Sequence, residues 1–425
     1  MKEKFYICVV NQLNYDVIIT GARCAGASLA ILLGKLGYKV LLLDRSQFPS
    51  NTTSTHIVGE IDIYKELGVF EQLQESGAPS LHRMRIDLDG TFFESDIIVT
   101  QRALGLRRTE FDYILLQKAA SFSNVTVKQN HKVNKVLKDN EGKTIGVEVK
   151  SKNSVSKQYG TIIVGADGRN STIASQVHSP YIYESEMMRA GIYGYFKDVN
   201  PLTHPCVEWY FNQGDIIFCT PTNDDLHTIL VMPHPDHYRN MKQNVKATLL
   251  NSIMKNKNLR LRLENASLID GVKGIGPLKM FIRHSFGSGW ALVGDAGAWV
   301  HPVSGTGMDD AVLSAKELSI AIDLYFKGIK SWEDALHDYQ TKRDQIINIQ
   351  INRALSTLQR ADQPLSAEKQ AWLKLICTFP SIVYDLGNKG SDVLDFLHFK
   401  NQDDLKMLVS LEKRKIIHEM RRNHP

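Results

Sequence analysis

The sequence predicts an α/β protein: a doubly wound parallel sheet, an intercalated β-sheet domain and a helical C-terminal region. Three observations carry this expectation. Tyr15 to Leu43 reads as strand, glycine turn, helix and strand; short apolar strands between polar turns run from Tyr193 to Met232; and apolar residues at helical spacing take over from Ala311 onward. A chain of 425 residues is too long for one ordinary core and suits two intertwined domains.

Taken in order, Tyr15 to Thr20 is an apolar strand, Gly21 turns it, Ala22 to Leu36 is a helix and Lys39 to Leu43 a second strand, which together make a βαβ unit. Thr109-Glu110-Phe111-Asp112 has the form of a capping box opening a helix towards Ala120, and Val125 to Val127 supplies a further strand of the same sheet. Between Val133 and Val164 the pattern changes to alternation, with polar turns at Asn140 to Lys143 and Ser151 to Ser156, which predicts an antiparallel appendage. Val207 to Phe211, Ile216 to Thr220 and Thr228 to Met232 then form a β-meander. Trp290 to Val293 returns as an apolar strand into a helix whose inward face carries Ala311, Ala315, Leu318, Ile322 and Tyr325. Ser331 to Asp334 is like a second capping box, after which Leu336, Tyr339, Ile347, Ile351, Ala354 and Leu358 continue at helical spacing.

Charge excludes little and favours little. Lys and Arg number 51 against 46 Asp and Glu, so a net +5 over this length argues for neither nucleic acid nor membrane and is permissive of an anionic ligand. Cys8, Cys24, Cys206, Cys219 and Cys377 are odd in number and contain no C-x-x-C pair, which suits free thiols in a reducing, cytoplasmic compartment. The apolar run Ile7 to Val10 is too short for a signal-peptide core, and no stretch is apolar and long enough to span a bilayer. Lys413 to Arg422 is basic and partly amphipathic; a solvated helix face is the preferred reading and peripheral membrane contact the alternative.

Three stretches carry chemistry. Gly21-Ala22-Arg23-Cys24-Ala25-Gly26 stands directly after a strand and opens a helix, where free N–H groups hold a pyrophosphate. Gly21 allows the tight turn and Gly26 the close approach of helix and sheet. Arg23 replaces the middle glycine, so either the backbone approaches the phosphate less closely or the guanidinium points away to meet an anion. Asp44 follows the second strand at the separation expected of a ribose-binding acid, with Arg45 beside it, and an acid there favours an unphosphorylated adenosine ribose such as that of FAD. Gly165-Ala166-Asp167-Gly168-Arg169-Asn170-Ser171 again follows a strand. Gly294-Asp295-Ala296 follows the next, ahead of Pro302 and of Gly305-Thr306-Gly307-Met308 at the start of the Ala311 helix. Taken singly, Asp167 and Asp295 are each as readily loop-capping aspartates as ligand contacts.

In this order and spacing the three motifs resemble the group A flavoprotein monooxygenases, the aromatic hydroxylase-like family that shares its fold with geranylgeranyl reductases. The resemblance covers Tyr15 to about Phe326. It implies a discontinuous FAD-binding domain of residues 15–72, 104–172 and 270–330, a substrate domain of 73–103 and 173–269, and a helical region of 331–425. By position, Asp295 matches the residue that binds the ribityl chain and the Gly305 to Met308 backbone the cradle of the flavin pyrimidine. Arg108 matches a cofactor-contacting arginine, with Arg107 leaving the register open; Val133 matches a position whose backbone touches adenine. Asp167 and Gly168 resemble the motif tied to the FAD pyrophosphate and to NAD(P)H. His56, His301 and Pro302 fall in segments that approach the flavin in this family, and Tyr193, Tyr195, Trp209 and Phe218 lie on the meander that forms the substrate wall. His234 and His237 have metal-like spacing but flank Pro235 with no third ligand, so no metal is expected. Cys24 reads as a small buried residue of the phosphate turn.

The reaction implied is NAD(P)H reduction of the flavin, addition of O2 to give a C4a-hydroperoxide, and hydroxylation of a small aromatic or polyketide-like substrate, with the cofactor as catalyst. Three alternatives stay open. A reductase of an unsaturated chain shares the scaffold, although Ile217-Phe218-Cys219-Thr220-Pro221 lacks the tryptophan such enzymes place before the proline. A flavin-dependent halogenase is the second, although Trp209, Trp290, Trp299, Trp332 and Trp372 form no W-x-W pair. The third is a flavin-binding sensor without turnover.

Overall fold

Val17 to Ile19 and Val40 to Leu43 are fully buried apolar runs, and strands buried on both faces belong in the middle of a parallel sheet. The computed structural model, which describes residues 14–97, 102–152, 154–237, 244–363 and positions 366, 367, 370, 371 and 374, places them there. The chain divides into two compact units, one built from the chain up to Ala78, Leu104–Arg189 and Pro277–Leu355, the other from Pro79–Ala103, Ala190–Gly276 and the chain after Leu355.

The first unit contains, in chain order, β1 (Tyr15–Thr20), α1 (Cys24–Lys35), β2 (Val40–Leu43), α2 (Arg108–Ala120), β3 (Val125–Lys128), β4 (Lys132–Lys138), β5 (Thr144–Lys150), β6 (Val155–Gly165), α3 (Thr172–Gln176), β7 (Trp290–Leu292), α4 (Gly307–Phe326) and α5 (Trp332–Ala361). Its central strands run in the order β7, β6, β1, β2, β3, all parallel. Side chains alternate between two cores. Val17, Ile19, Val40, Leu42 and Val164 face α1, α2 and α4, whereas Ile18, Leu41, Leu43 and Ile163 face Val133, Val136, Val147 and Val149 of β4 and β5 with α3. Helices therefore cover one face and the antiparallel appendage covers the other. Each fully buried Val, Leu or Ile side chain contributes roughly 1.5–3 kcal/mol, so this double burial fixes the register of β1 against both neighbours.

Capping divides into a success and a correction. At α5 half of the expected box forms: the Asp334 N–H donates to Ser331 Oγ (3.1 Å), while the Asp334 carboxylate takes the Ser331 hydroxyl (2.6 Å) instead of its backbone N–H. The box expected at Thr109 to Asp112 does not form. Helix α2 begins at Arg108, Arg107 is its N-cap without a side-chain cap bond, and Thr109 lies inside the helix. Asp112 accepts hydrogen bonds from the guanidinium groups of Arg108 and Arg23 instead. Charge-assisted bonds to two cations outweigh one neutral backbone donor.

The second unit is a sheet with strand order Tyr181–Lys197, Leu226–Met232, Asp215–Thr222, Cys206–Asn212, Arg83–Leu88 and Thr91–Asp96, antiparallel except where Cys206–Asn212 lies parallel to Arg83–Leu88. One face packs Ile192, Tyr210, Ile217, Ile229 and Val231 against Leu249, Ile253 and Leu259 of the helices Val245–Lys255 and Lys257–Arg262. The basic stretch Lys413 to Arg422, Cys377, Trp372 and most of the expected C-terminal helical region lie outside the described residues.

Helix α5 is tied to the sheet edge by two side chains: Tyr339 Oη donates to the Leu292 carbonyl (2.8 Å) and Trp332 Nε1 to that of Gly287 (2.8 Å). Removal of the buried Tyr339 hydroxyl leaves an acceptor short of its partner, so Tyr339→Phe lowers stability by about 1 kcal/mol in urea unfolding. An unchanged midpoint would place α5 outside the cooperative unit.

Candidate functional site

The site begins where three turns meet at the C-terminal ends of the parallel strands. Gly21 has φ +100°, and a Cβ there would lie 2.3 Å from the Ala166 carbonyl oxygen. A Cβ at Gly26 would lie 1.8 Å from the Gly21 oxygen, and one at Gly294 2.8 Å from the Ala25 Cβ. The turns after β1, β6 and β7 are thus packed at distances that side chains would forbid. Around them, two helices present unused donors. The N–H groups of Cys24 and Gly26 in α1, and of Gly307, Met308 and Asp309 in α4, take no hydrogen-bond partner among the described residues, and neither helix has a side-chain cap. Among the described residues, nothing beyond the adjoining backbone lies within 4 Å of a Cβ built on Gly168 or on Gly307, so space opens beside both. Gly305, left-handed at φ 72°, and Thr306 aim the start of α4 into that space. Unsatisfied N–H groups with the positive end of a 20-residue helix behind them suit an anion or a ring carrying carbonyl oxygens.

The two aspartates that sequence left equivalent differ. Asp167 is a capping residue: Ser171 Oγ donates to its Oδ1 (2.5 Å) and the Thr172 N–H to its Oδ2 (2.7 Å) at the start of α3. Asp295 accepts no hydrogen bond among the described residues. Burial pushes its carboxyl up to about 6 against the opposing pull of Arg108 and Arg169. A free carboxylate at this place can accept from a polyol hydroxyl. Asp44 accepts from the N–H groups of Ala22 (2.7 Å) and Ser46 (2.7 Å), so it shapes the turn and keeps lone pairs for a ribose hydroxyl. Arg45 beside it is exposed, and Val133 is buried in β4 with its side chain in the core.

Of the two adjacent arginines, Arg108 is the buried one, bound to Asp112 Oδ1 at 2.8 Å with its Nη2 3.8 Å from the Cys24 sulfur. Arg23 donates to Asp112 Oδ2 (2.8 Å), the Ser50 carbonyl (3.3 Å), Ser50 Oγ (3.1 Å) and the Asn51 carbonyl (3.2 Å). The guanidinium is thus held by Asp112 and by the Ser50–Asn51 segment, and the anion it meets here is a carboxylate of its own chain. Burial pushes the Cys24 thiol up to about 11, which leaves it an inert packing residue.

His56 is fully buried with φ 61°, a left-handed conformation rare for a non-glycine residue, and its Nδ1 lies 3.1 Å from the Leu106 carbonyl. Burial, then Arg108, lower its pKa to about 3. His301 is buried and lowered to about 3 as well, by burial and then Arg189, and its Nδ1 accepts from the Val303 N–H (3.2 Å). Both rings are neutral at physiological pH. Pro302 starts the short turn Pro302–Ser304 that leads into Gly305.

In the second unit the expected wall residues fall into register. Tyr193 pairs with Leu230, Leu230 with Phe218, Phe218 with Trp209, Trp209 with Ile86 and Ile86 with Phe93, a single row across six strands. Tyr195 lies two residues along on the same face, its ring 5.8 Å from that of Tyr193, and the Trp209 and Phe218 rings are 4.7 Å apart. This is the face opposite the helices. His234 and His237 serve Asp215, which accepts from the His234 N–H (2.8 Å) and Ser252 Oγ (2.8 Å) and lies 3.0 Å from His237 Nδ1; no metal-binding cluster occurs among the described residues.

Sequence reasoning missed two acids in the first turn of α4. Asp309 accepts from Tyr64 Oη (2.6 Å) and the Gly59 N–H (2.8 Å), and Asp310 from Thr306 Oγ1 (2.7 Å). Acids at a helix start are a legible signal; their burial is not. Burial pushes Asp309 up to about 6 and Asp310 up to about 7 from 3.8. A carboxyl that holds its proton more tightly when folded contributes stability that is fully present below its unfolded pKa and is lost as pH rises through the folded one. In flavin-free protein, urea midpoints should therefore fall between about pH 4 and about pH 7, and fall less in Asp310→Asn than in the wild type. Equal slopes would show that Asp310 ionises without penalty.

The chain is 23% identical over 336 residues to the 1H-pyrrole-2-carbonyl-(peptidyl-carrier protein) brominase of Pseudoalteromonas luteoviolacea, covering 77% of this chain and 81% of that protein. It is 26% identical over 344 residues to the digeranylgeranylglycerophospholipid reductase of Methanococcus aeolicus, covering 77% and 82%. The crystal structure of PqsL, a probable FAD-dependent monooxygenase from Pseudomonas aeruginosa, has the same fold, with a TM-score of 0.71 at 20% identity over 82% of this chain and 97% of that one. The family model described as the FAD binding domain matches residues 14–354. The chain therefore belongs to the FAD binding domain family and is an FAD-dependent oxidoreductase.

Proposed function

We propose that this protein is an NAD(P)H-dependent monooxygenase that hydroxylates a small aromatic or polyketide-like substrate with O2. The observation that carries the reading is the pairing of an open α4 N-terminus with the unbonded Asp295 carboxylate, because it supplies what the flavin end of FAD needs and an ordinary nicotinamide site does not. When bound, FAD supplies the two-electron and oxygen chemistry. The protein's part is to hold and polarise. The N–H groups of Gly307, Met308 and Asp309 would donate to carbonyl oxygens of the flavin pyrimidine and favour negative charge there. Asp295 would accept from the ribityl chain and Asp44 from the adenosine ribose, and the start of α1 would take the pyrophosphate. Gly168, with open space beside it, is assigned to the approach of NAD(P)H. The row Tyr193, Phe218 and Trp209 offers edge and face contacts to an aromatic substrate. His56, neutral by burial, and the turn at Pro302, which the family resemblance places near the flavin, would add no charge beside it. The unpaired Cys24, Cys206 and Cys219 support a reducing, cytoplasmic setting.

A halogenase is the second reading, favoured by the similarity to the brominase over 81% of that protein. The purified yellow protein separates the two. Phenolic and polyketide-like compounds are screened for stimulation of NAD(P)H oxidation with oxygen uptake, with and without bromide. A hydroxylated product independent of halide supports the monooxygenase; a brominated product that needs bromide selects the halogenase; anaerobic turnover to a saturated product selects a reductase. Asp295→Ala weakens FAD binding by about tenfold or more, the equivalent of at least one good hydrogen bond, and a variant that keeps its flavin tightly would remove Asp295 from the ribityl role.

A further inference from the structure

The residue that breaks the glycine fingerprint is Arg23, and its surroundings are built rather than incidental. Asp112 is fully buried and lies between two guanidinium groups, Arg23 at 2.8 Å and Arg108 at 2.8 Å. Two cations share one anion, so the group as a whole carries one positive charge. Burial works against the charge on Arg108 and Asp112 more than restores it, so that proton is held more tightly than usual. Neighbouring acids do not cancel the surplus. Two nearby acids have further cations beside them: Asp295 faces Arg169 as well as Arg108, and Asp44 is followed directly by Arg45. The triad stands at the start of α1: Arg23 is the N-cap residue, and Arg108 lies against Cys24, the first residue of the helix. A partly buried net cation beside free helix N–H groups selects an anion.

We propose that Arg23, Asp112 and Arg108 form an ion triad of net charge +1 that favours a diphosphate at the N-terminus of α1, in place of the closer backbone approach that a second glycine would allow. Arg23 also fixes the segment from Phe48 to Asn51 against this turn, with its guanidinium carbon 5.6 Å from the Phe48 ring centre and two bonds to backbone carbonyls of Ser50 and Asn51. Its role is to position and polarise, and Asp112 is the member that keeps both cations in place.

The test uses full-length protein stripped of flavin and two probes that differ only in the diphosphate, ADP and adenosine, titrated calorimetrically. Neutralising Arg23 in Arg23→Gln removes the surplus charge, and ADP affinity falls about tenfold, a difference of about 1.4 kcal/mol, while adenosine affinity stays within about twofold. Arg23→Lys keeps the charge without the fork and retains most of the ADP affinity. Equal losses for both probes would reduce Arg23 to a structural brace, and no loss for ADP would remove it from the diphosphate site altogether. A wild-type protein that prefers adenosine to ADP would overturn the triad's assignment without touching the flavin end of the site. If Arg23→Gln fails to fold, Arg23→Lys decides: collapse of ADP binding with the charge preserved contradicts the proposal, and its retention supports it.

Discussion

The carbonyl of Gly21 occupies the space where a side chain at residue 26 would begin, 1.8 Å from a Cβ built there. Much else in the first unit depends on that contact. Because α1 approaches so closely, the turn after β6 can lie over Gly21 and the turn after β7 can press Gly294 against Ala25. Three strand ends that are distant in sequence thereby converge, and their parallel order brings every turn to the same end of the sheet. Ligands of open α/β sheets bind at that end, since helix N-termini and unsatisfied N–H groups collect there. The glycines are what allow the distances, and the buried alternation of β1, β2 and β6 keeps the strands in the register that aligns the turns.

Electrostatics in the site follows from how little water reaches it. Asp295, Asp309 and Asp310 all carry carboxyls raised by burial, while Arg108 keeps its charge through Asp112. Acids at the head of α4 are favoured by the helix dipole and penalised by burial, and burial prevails at both Asp309 and Asp310. Their hydrogen bonds explain the compromise. Tyr64 and the Gly59 N–H satisfy Asp309, Thr306 satisfies Asp310, and the cost of desolvation is accepted because the first turn of α4 is fixed against its neighbours while its own N–H groups stay open. Asp295 has no such partner among the described residues, which fits the ribityl role proposed for it.

The second unit uses the period-two geometry of a sheet to separate two tasks. Glu208, Tyr210 and their neighbours turn to the helices, where Tyr210 Oη donates to Glu208 (2.5 Å) and Arg262 closes a buried ion pair with the same carboxylate. Val207, Trp209, Phe218 and Tyr193 turn the other way. A one-residue slip in any strand would exchange these faces and bury a charge among apolar side chains, so the ion pair and the aromatic row hold the same register.

Sequence alone determined the parts that depend on local pattern. The βαβ opening, the appendage, the meander and the helix after Gly305 were legible because apolar periodicity and glycine turns act over a few residues. The order of three glycine-rich turns pointed to FAD for the same reason. Tertiary structure decided what depends on convergence. Asp112 reads as a capping residue until Arg23, 89 positions earlier, is seen to reach it. Asp167 and Asp295 look alike as letters, and only their surroundings make one a cap and leave the other a free acceptor. The burial that raises Asp309 and Asp310 is likewise a property of packed neighbours rather than of adjacent residues. Periodicity is encoded along the chain, whereas desolvation and shared counter-ions exist only once distant segments meet.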